Sequence, residues 1–365
     1  MRSSFDLSIR NLKSAIDSLL RYNKPDTKTV QMNPETLTLE QLAGQRLLVG
    51  FEGKRFDQDL EFLIGDLKIG GIILFSHNVE SPDQIKKLCG SVQEFARTQK
   101  QPRLIIAIDQ EGGQVARLKE PFTQFPGNSA MRNTEDAAYF AETTAAELAE
   151  VGINMDLAPV LDVVPKETES IMKARSFGHN PDWVATMGLT VIKCLQHHKI
   201  MAVAKHFPGI GRTTSDSHID LPTYDGDWTQ LKNWDLPPFE ACIDHAVAGI
   251  MLSHIVYSKI DPEWPASLSP TIAQKLLRNQ LGFRGVSMTD DLDMGAINKH
   301  YDIKTVIRQI LLAGIDLILI CHKGPNIESA YKEILQNIKN SKELRASGIK
   351  AVRRIMNLKR KYLEI

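Results

Sequence analysis

What this sequence lacks narrows its function before any motif is considered. It has no charge surplus, since 44 Lys and Arg stand against 44 Asp and Glu. Nucleic-acid binding draws on a basic excess to displace counterions, so nucleic acid is not the expected partner. Cysteine is scarce: Cys89, Cys194, Cys242 and Cys321 lie far apart with no C-x-x-C pair. That spacing predicts no metal centre, and buried free thiols in a reducing compartment. No apolar run reaches the roughly 20 residues of a membrane span, so no membrane partner is expected. The first 21 residues, Met1 to Arg21, carry no continuous apolar segment of the secretory kind, which points to the cytoplasm. No G-x-G-x-x-G opens a helix after the first strand-like run, so a dinucleotide fold has no support and no cofactor is expected. A small, neutral substrate fits these absences best.

What the chain does have is a regular alternation. Residues 1–36 form an extension in which Phe5, Ile9, Leu12, Ile16 and Leu19 recur at helical spacing before Asn23-Lys24-Pro25-Asp26 breaks the pattern. From residue 37 to 365, short apolar runs alternate with amphipathic helical patterns. The runs are 46–51, 70–75, 104–109, 154–160, 201–206, 249–254, 285–290 and 316–321. The helical patterns cover 82–97, 134–151, 183–198, 228–246, 270–281, 303–312, 326–338 and 344–362. His197-His198 reads as a helix end, where the dipole favours imidazolium. The cluster Arg353-Arg354 to Lys359-Arg360-Lys361 reads as the wet face of the last helix. Eight strand-then-helix units in one α/β chain predict a single (β/α)8 TIM-type barrel with an N-terminal helical extension, with a doubly wound sheet as the runner-up.

A barrel gathers its chemistry at the C-terminal ends of its strands. There the sequence places Asp109 and Glu111, Asp162, Lys205 and His206, Ser253 and His254, and Asp290 and Asp291. Asp109-Gln110-Glu111-Gly112-Gly113 reads either as a ligand cradle, with Asp109 and Arg117 on sugar hydroxyls, or as a capped tight turn. Lys205-His206 reads as a ligand clamp, a Schiff-base lysine or a salt-bridged core pair. Arg175 offers a guanidinium fork to a ligand or a surface ion pair. Asp216-Ser217-His218, on the polar loop after Pro208-Gly209-Ile210-Gly211, pairs a carboxylate with an imidazole and suits proton transfer; a solvated Asx turn is the alternative. Adjacent strand residues face opposite sides, so Asp290 and Asp291 do not both enter one pocket, and the second is expected to brace the loop.

These stretches resemble the β-N-acetylhexosaminidases of glycoside hydrolase family 3, the cytoplasmic kind that recycle cell-wall muropeptides in bacteria. The resemblance spans roughly residues 37 to 360. It is carried by Gly70–Phe75, by Asp109–Gly113 with Arg117, by Leu157–Asp162 and by Arg175-Ser176-Phe177. Lys205–His218, Thr289–Met294 and Ala313-Gly314-x-Asp316 complete it. It implies a (β/α)8 barrel and retaining hydrolysis of terminal β-linked N-acetylglucosamine. By position it implies Asp290 as nucleophile and His218 as acid/base with Asp216 as its partner. Asp109, Arg117, Arg175, Lys205 and His206 would bind the sugar.

The chain departs from the family's His-Phe-Pro-Gly-His-Gly-Asp at Ile210 and Arg212. The added positive charge suggests an anionic aglycone. A glycoside phosphorylase and a β-glucosidase are the nearest alternative activities. A lyase on Lys205 and a sugar-binding barrel without turnover are more distant ones.

Overall fold

Each apolar run carries residues that favour extended backbone, and a polar N-cap marks where most of the following helices begin. The computed structural model describes residues 34–214, 217 and 219–363; the apolar stripe of the N-terminal extension lies outside them. The barrel strands are β1 (Leu47–Val49), β2 (Gly71–Leu74), β3 (Ile105–Ile108), β4 (Met155–Asp156), β5 (Met201–Phe207), β6 (Gly249–Leu252), β7 (Val286–Asp291) and β8 (Leu317–Ile320). All neighbours pair in parallel, and β1 pairs with both β2 and β8, so the sheet closes. The register runs Gly71↔Ile105 to Leu74↔Ile108 at β2–β3 and Leu47↔Ile318 to Val49↔Ile320 at closure. Nearly every strand residue is buried, as expected where side chains fill the barrel on one face and meet helices on the other. Just past the closing register, a Cβ on Gly50 would stand 1.7 Å from the Cys321 carbonyl oxygen, so only glycine fits there.

The surrounding helices follow the expected pattern at Pro82–Thr98, Thr134–Glu150, Pro181–His197, Ile303–Ala313 and Pro325–Asn340. Ser81, Asn133, Asn180 and Asp302 cap four of them through side-chain oxygens. The stretch expected as one helix over 228–246 is instead broken. A turn at Trp228–Gln230 passes into a wider turn at Leu231–Asp235, and Pro237–Asp244 resumes the α form. Pro237 and Pro238 have no N–H to continue a regular ladder. Thr271–Gln280 is also wound wide, with the Leu281 N–H bonded to the Leu276 carbonyl five residues back. Helices not read from the sequence include Leu39–Gly44, Gly295–Asn298 and Gln58–Gly65, the last following β1 with Asp57 as its cap.

The last helix, Lys342–Leu363, does not show its basic residues only to water. Lys359 is fully buried, its Nζ donating to Gln45 Oε1 and to the Gly70 carbonyl at 2.8 Å each. Arg354 Nη2 lies 2.6 Å from the buried Asp316 carboxylate. Of the thiols, Cys89, Cys242 and Cys321 are buried and Cys194 is half-buried; none is in a disulfide. Among the described residues no helix is long and apolar enough to cross a membrane.

Candidate active site

The mouth of the barrel is organised around one ammonium group. Lys205 lies in β5 and is almost wholly buried, with Nζ 2.7 Å from Asp109 Oδ1 and 2.7 Å from Glu111 Oε1. Asp109 follows β3 directly. Glu111 lies two residues on, in a short antiparallel ribbon of Gln110–Gly112 with Val115–Ala116. Alternation in extended chain turns both carboxylates to the same side. The ribbon's turn needs its glycines: Gly112 and Gly113 have φ of 81° and 60°, and a Cβ on Gly113 would meet the Pro126 carbonyl oxygen at 2.8 Å. Gln110 holds the return of the loop, its Oε1 accepting from the N–H groups of Arg117 and Leu118.

Two guanidinium groups complete the network. Arg175 donates a parallel pair of bonds to Glu111, at 2.9 and 2.7 Å. Arg117 reaches Asp109 Oδ2 at 3.3 Å and lies 5.3 Å over the Phe75 ring. Two carboxylates thus face three cations. Burial alone would raise Asp109, but Lys205 and Arg117 outweigh it and hold the carboxyl at about 2. Glu111 is lowered in the same way: burial opposes the shift, and Lys205 and Arg175 prevail. Burial pushes Asp156 in β4 well above the ordinary carboxylate range. Its Oδ1 accepts the Gln110 N–H at 3.0 Å, while Oδ2 is buried with no partner among the described residues.

His206, next to Lys205, bonds through Nδ1 to Asp162 Oδ2 at 2.8 Å. A carboxylate at Nδ1 fixes the ring and leaves Nε2 as the free edge. Asp162 Oδ1 also accepts the Ile210 N–H at 2.8 Å, tying the start of the polar loop to the same group. The side chain of Ile210 is buried. Arg212 turns to the fold and not to open solvent: its Nε lies 3.5 Å from Asp235 Oδ2 and its guanidinium 5.1 Å over Trp234. Arg212 thus has a carboxylate neighbour within the fold. Asp235 is pushed up to about 7 by burial, with Arg212 opposing. Asp216 and His218 lie outside the described residues. Between them, the Ser217 carbonyl accepts the Ala296 N–H at 3.0 Å.

Asp290 and Asp291 end β7, at the same end of the barrel as Lys205. Asp290 is half-buried and its Oδ1 accepts the Asp291 N–H at 2.8 Å. Asp291 points elsewhere. It is buried, and its Oδ1 accepts the N–H groups of Cys321 at 2.9 Å and Asp293 at 3.1 Å. Burial raises its carboxyl to about 6. His254, at the end of β6, lies within hydrogen-bond distance of the Asp291 carbonyl through Nε2 (2.9 Å) and of Ser267 Oγ through Nδ1 (2.6 Å). The structure therefore brings Asp109, Arg117, Arg175 and Lys205 into one ion network, with His206 beside it and Asp290 at the same mouth. The sequence reading did not find the double role of Glu111 or the buried Asp156. Asp156 carried a usable signal, being a carboxylate inside an apolar run.

Comparison with known proteins finds relatives over most of the chain. The model of the glycosyl hydrolase family 3 N-terminal domain matches residues 31–358. A Nitrosomonas eutropha protein named beta-hexosaminidase is 37% identical over 263 residues, which span 70% of this chain and 74% of its own length. A beta-hexosaminidase of Methylobacillus flagellatus is 35% identical over 280 residues, spanning 74% and 77%. Among solved structures, a glycoside hydrolase family 3 beta-N-acetylglucosaminidase from Paenibacillus sp. str. FPU-7 superposes with a TM-score of 0.87 at 35% identity. The match covers 90% of this chain but only 63% of that one. A beta-N-acetylhexosaminidase from Beutenbergia cavernae gives 0.82 at 29% identity, covering 88% and 98%.

Proposed function

The chain belongs to glycosyl hydrolase family 3, and on that premise we propose that it is a retaining β-N-acetylhexosaminidase that removes terminal β-linked N-acetylglucosamine. The observation that carries this reading is Asp290: a half-buried carboxylate at the end of β7, at the same barrel mouth as the Lys205-centred ion network. In the proposed reaction a carboxylate oxygen of Asp290 attacks the anomeric carbon. The bond to the leaving oxygen breaks as His218, protonated and paired with Asp216, gives that oxygen its proton. Neutral His218 then takes a proton from water, which attacks the same carbon. The bond to Asp290 breaks and the carboxylate is restored. Two displacements at one carbon retain its configuration. Asp109, Lys205, Arg117, Arg175 and the Nε2 edge of His206 would hold the sugar hydroxyls. Their mutual ion pairs orient them before substrate arrives.

Cell-wall muropeptide as substrate, the cytoplasm as location, and residues 37–365 as the catalytic domain beyond an extension at 1–36 rest on the resemblance of the motifs. Release of N-acetylglucosamine from muropeptide fragments, compared with chitin fragments, tests the first of these.

Peptide mapping after trapping with a fluorinated N-acetylglucosaminyl donor should find the label on Asp290. Asp290→Ala should lose about 10⁴-fold or more in turnover, the scale seen when hydrolases lose their nucleophile. A label on Asp291 or Glu111 would overturn the assignment. His218→Ala should slow poor leaving groups by about 10²–10⁴-fold while activated aryl glycosides suffer far less. Equal slowing of both would reject His218 as the proton donor. Running the assay with and without phosphate identifies the acceptor, because a sugar 1-phosphate product would replace hydrolysis by phosphorolysis.

A further inference from the structure

We propose that Asp291, Asp293 and His322 form a binding site for one divalent cation of the zinc class at the rim of the barrel mouth. The three residues come from the end of β7, the loop after it and the loop after β8. His322 Nδ1 lies 3.6 Å from Asp291 Oδ2 and 3.6 Å from Asp293 Oδ2. One ligand atom from each residue falls within 4.8 Å of the others. Tetrahedral zinc with bonds of about 2.0–2.2 Å sets its ligands about 3.4 Å apart. Both distances to the imidazole are close to that edge, so small side-chain adjustments bring all three atoms to bonding distance.

The set is also held in place by its surroundings, as ligands of metal sites are. Asp291 is fixed through its other oxygen, Oδ1, by the N–H groups of Cys321 and Asp293, which leaves Oδ2 facing His322. Asp293 is fixed at Oδ1 by Asn326 Nδ2 at 2.8 Å, and its Oδ2 accepts the His322 N–H at 3.0 Å. The His322 ring stacks on Phe75, with centroids 6.2 Å apart and planes 24° from parallel. Two carboxylates supply the charge. The imidazole nitrogen favours zinc-class ions over magnesium or calcium, which prefer oxygen alone. The fourth tetrahedral position stays open to water. A cation there sits one residue from Asp290, so occupancy should slow turnover. That effect rests on the proposed role of Asp290; the binding does not.

The test is a titration of the chelator-treated, dialysed full chain with zinc chloride at pH 7.5, followed by calorimetry. One equivalent should bind. His322→Ala and Asp293→Asn should each weaken binding by at least about tenfold, and a His197→Ala/His198→Ala control should leave it unchanged. His322 is mostly exposed and Asp293→Asn keeps its shape, so both variants should remain folded. Absence of one-equivalent binding, or affinity in either variant within threefold of the parent, would overturn the site; His322 would then serve only as a neighbour of the two carboxylates. Turnover measured alongside should fall with zinc in the parent and not in His322→Ala. A chain that binds zinc but shows no hexosaminidase activity would overturn the proposed reaction and leave the cation site standing.

Discussion

One ammonium serves two carboxylates in this site, and the balance depends on the fork of Arg175. Glu111 takes two parallel bonds from Arg175 and a third contact from Lys205. Lysine at position 175 would keep the charge and lose the fork. One charge-assisted hydrogen bond is worth about 1.5–3 kcal/mol, so Arg175→Lys should lower kcat/KM by about 10–100-fold; steady-state kinetics on an aryl N-acetylglucosaminide measure this. Unchanged kinetics would remove Arg175 from the binding network. The residue types at the mouth were legible because strand ends carrying Asp109, Lys205, His206 and Asp290 interrupt apolar runs. Their partners were not. Arg175 and Glu111 are 64 residues apart, and Lys205 and Asp109 are 96 apart; neither spacing has a local periodicity to betray it. The neighbour of Arg212 was hidden for the same reason. That neighbour, Asp235, sits in a distorted turn that the sequence presents as ordinary helix.

Among the secondary-structure elements, the last helix shows most clearly how periodicity and charge compete. Val352, Ile355, Lys359 and Tyr362 share one buried stripe at spacings of three and four, so the lysine lies on the core face. A basic cluster suggests solvent, and the stripe was the stronger signal. Burial pushes Lys359 down to about 7, whereas an unfolded lysine titrates near pH ~10.4. Between those values the unfolded chain binds a proton that the folded chain does not. Stability from this group therefore rises with pH across that window, by up to about 1.4 kcal/mol per pH unit. Lys359→Met removes the titration. Denaturant unfolding at pH 7.5 and 9.5 should show the parent gaining stability relative to the variant at the higher pH. A constant difference would show that Lys359 keeps its ordinary affinity for protons.

Across the whole molecule, the proposed reaction and the closure of the barrel draw on charge clusters at opposite ends. The order of eight strand-then-helix units was readable because each buried strand is a short apolar run and each helix has its own stripe; the closing pair β1–β8 joins segments about 270 residues apart and left no local trace. At the end opposite Asp290, Asp316 precedes β8 and gathers the base of the barrel. Its carboxylate lies 2.5 Å from Arg278 Nη2 and 2.6 Å from Arg354 Nη2, and accepts the Ser287 N–H at 3.0 Å. Arg46 donates to the carbonyls of Ile315 and Asp316, and burial pushes this guanidinium down to about 10. Asp316→Asn would leave two guanidinium groups without their counter-charge. The cost should be about 3 kcal/mol, at the low end for a broken buried pair because Arg354 reaches solvent. Turnover per folded molecule should not change, since no group at that end meets substrate in the proposed reaction. Asp290→Ala should do the reverse, abolishing turnover with stability held within about 0.5 kcal/mol. Denaturant titration together with activity normalised to the folded fraction separates the two effects. If Asp316→Asn lowers the normalised activity as Asp290→Ala does, the base of the barrel sets the geometry of its mouth and the two ends are not independent.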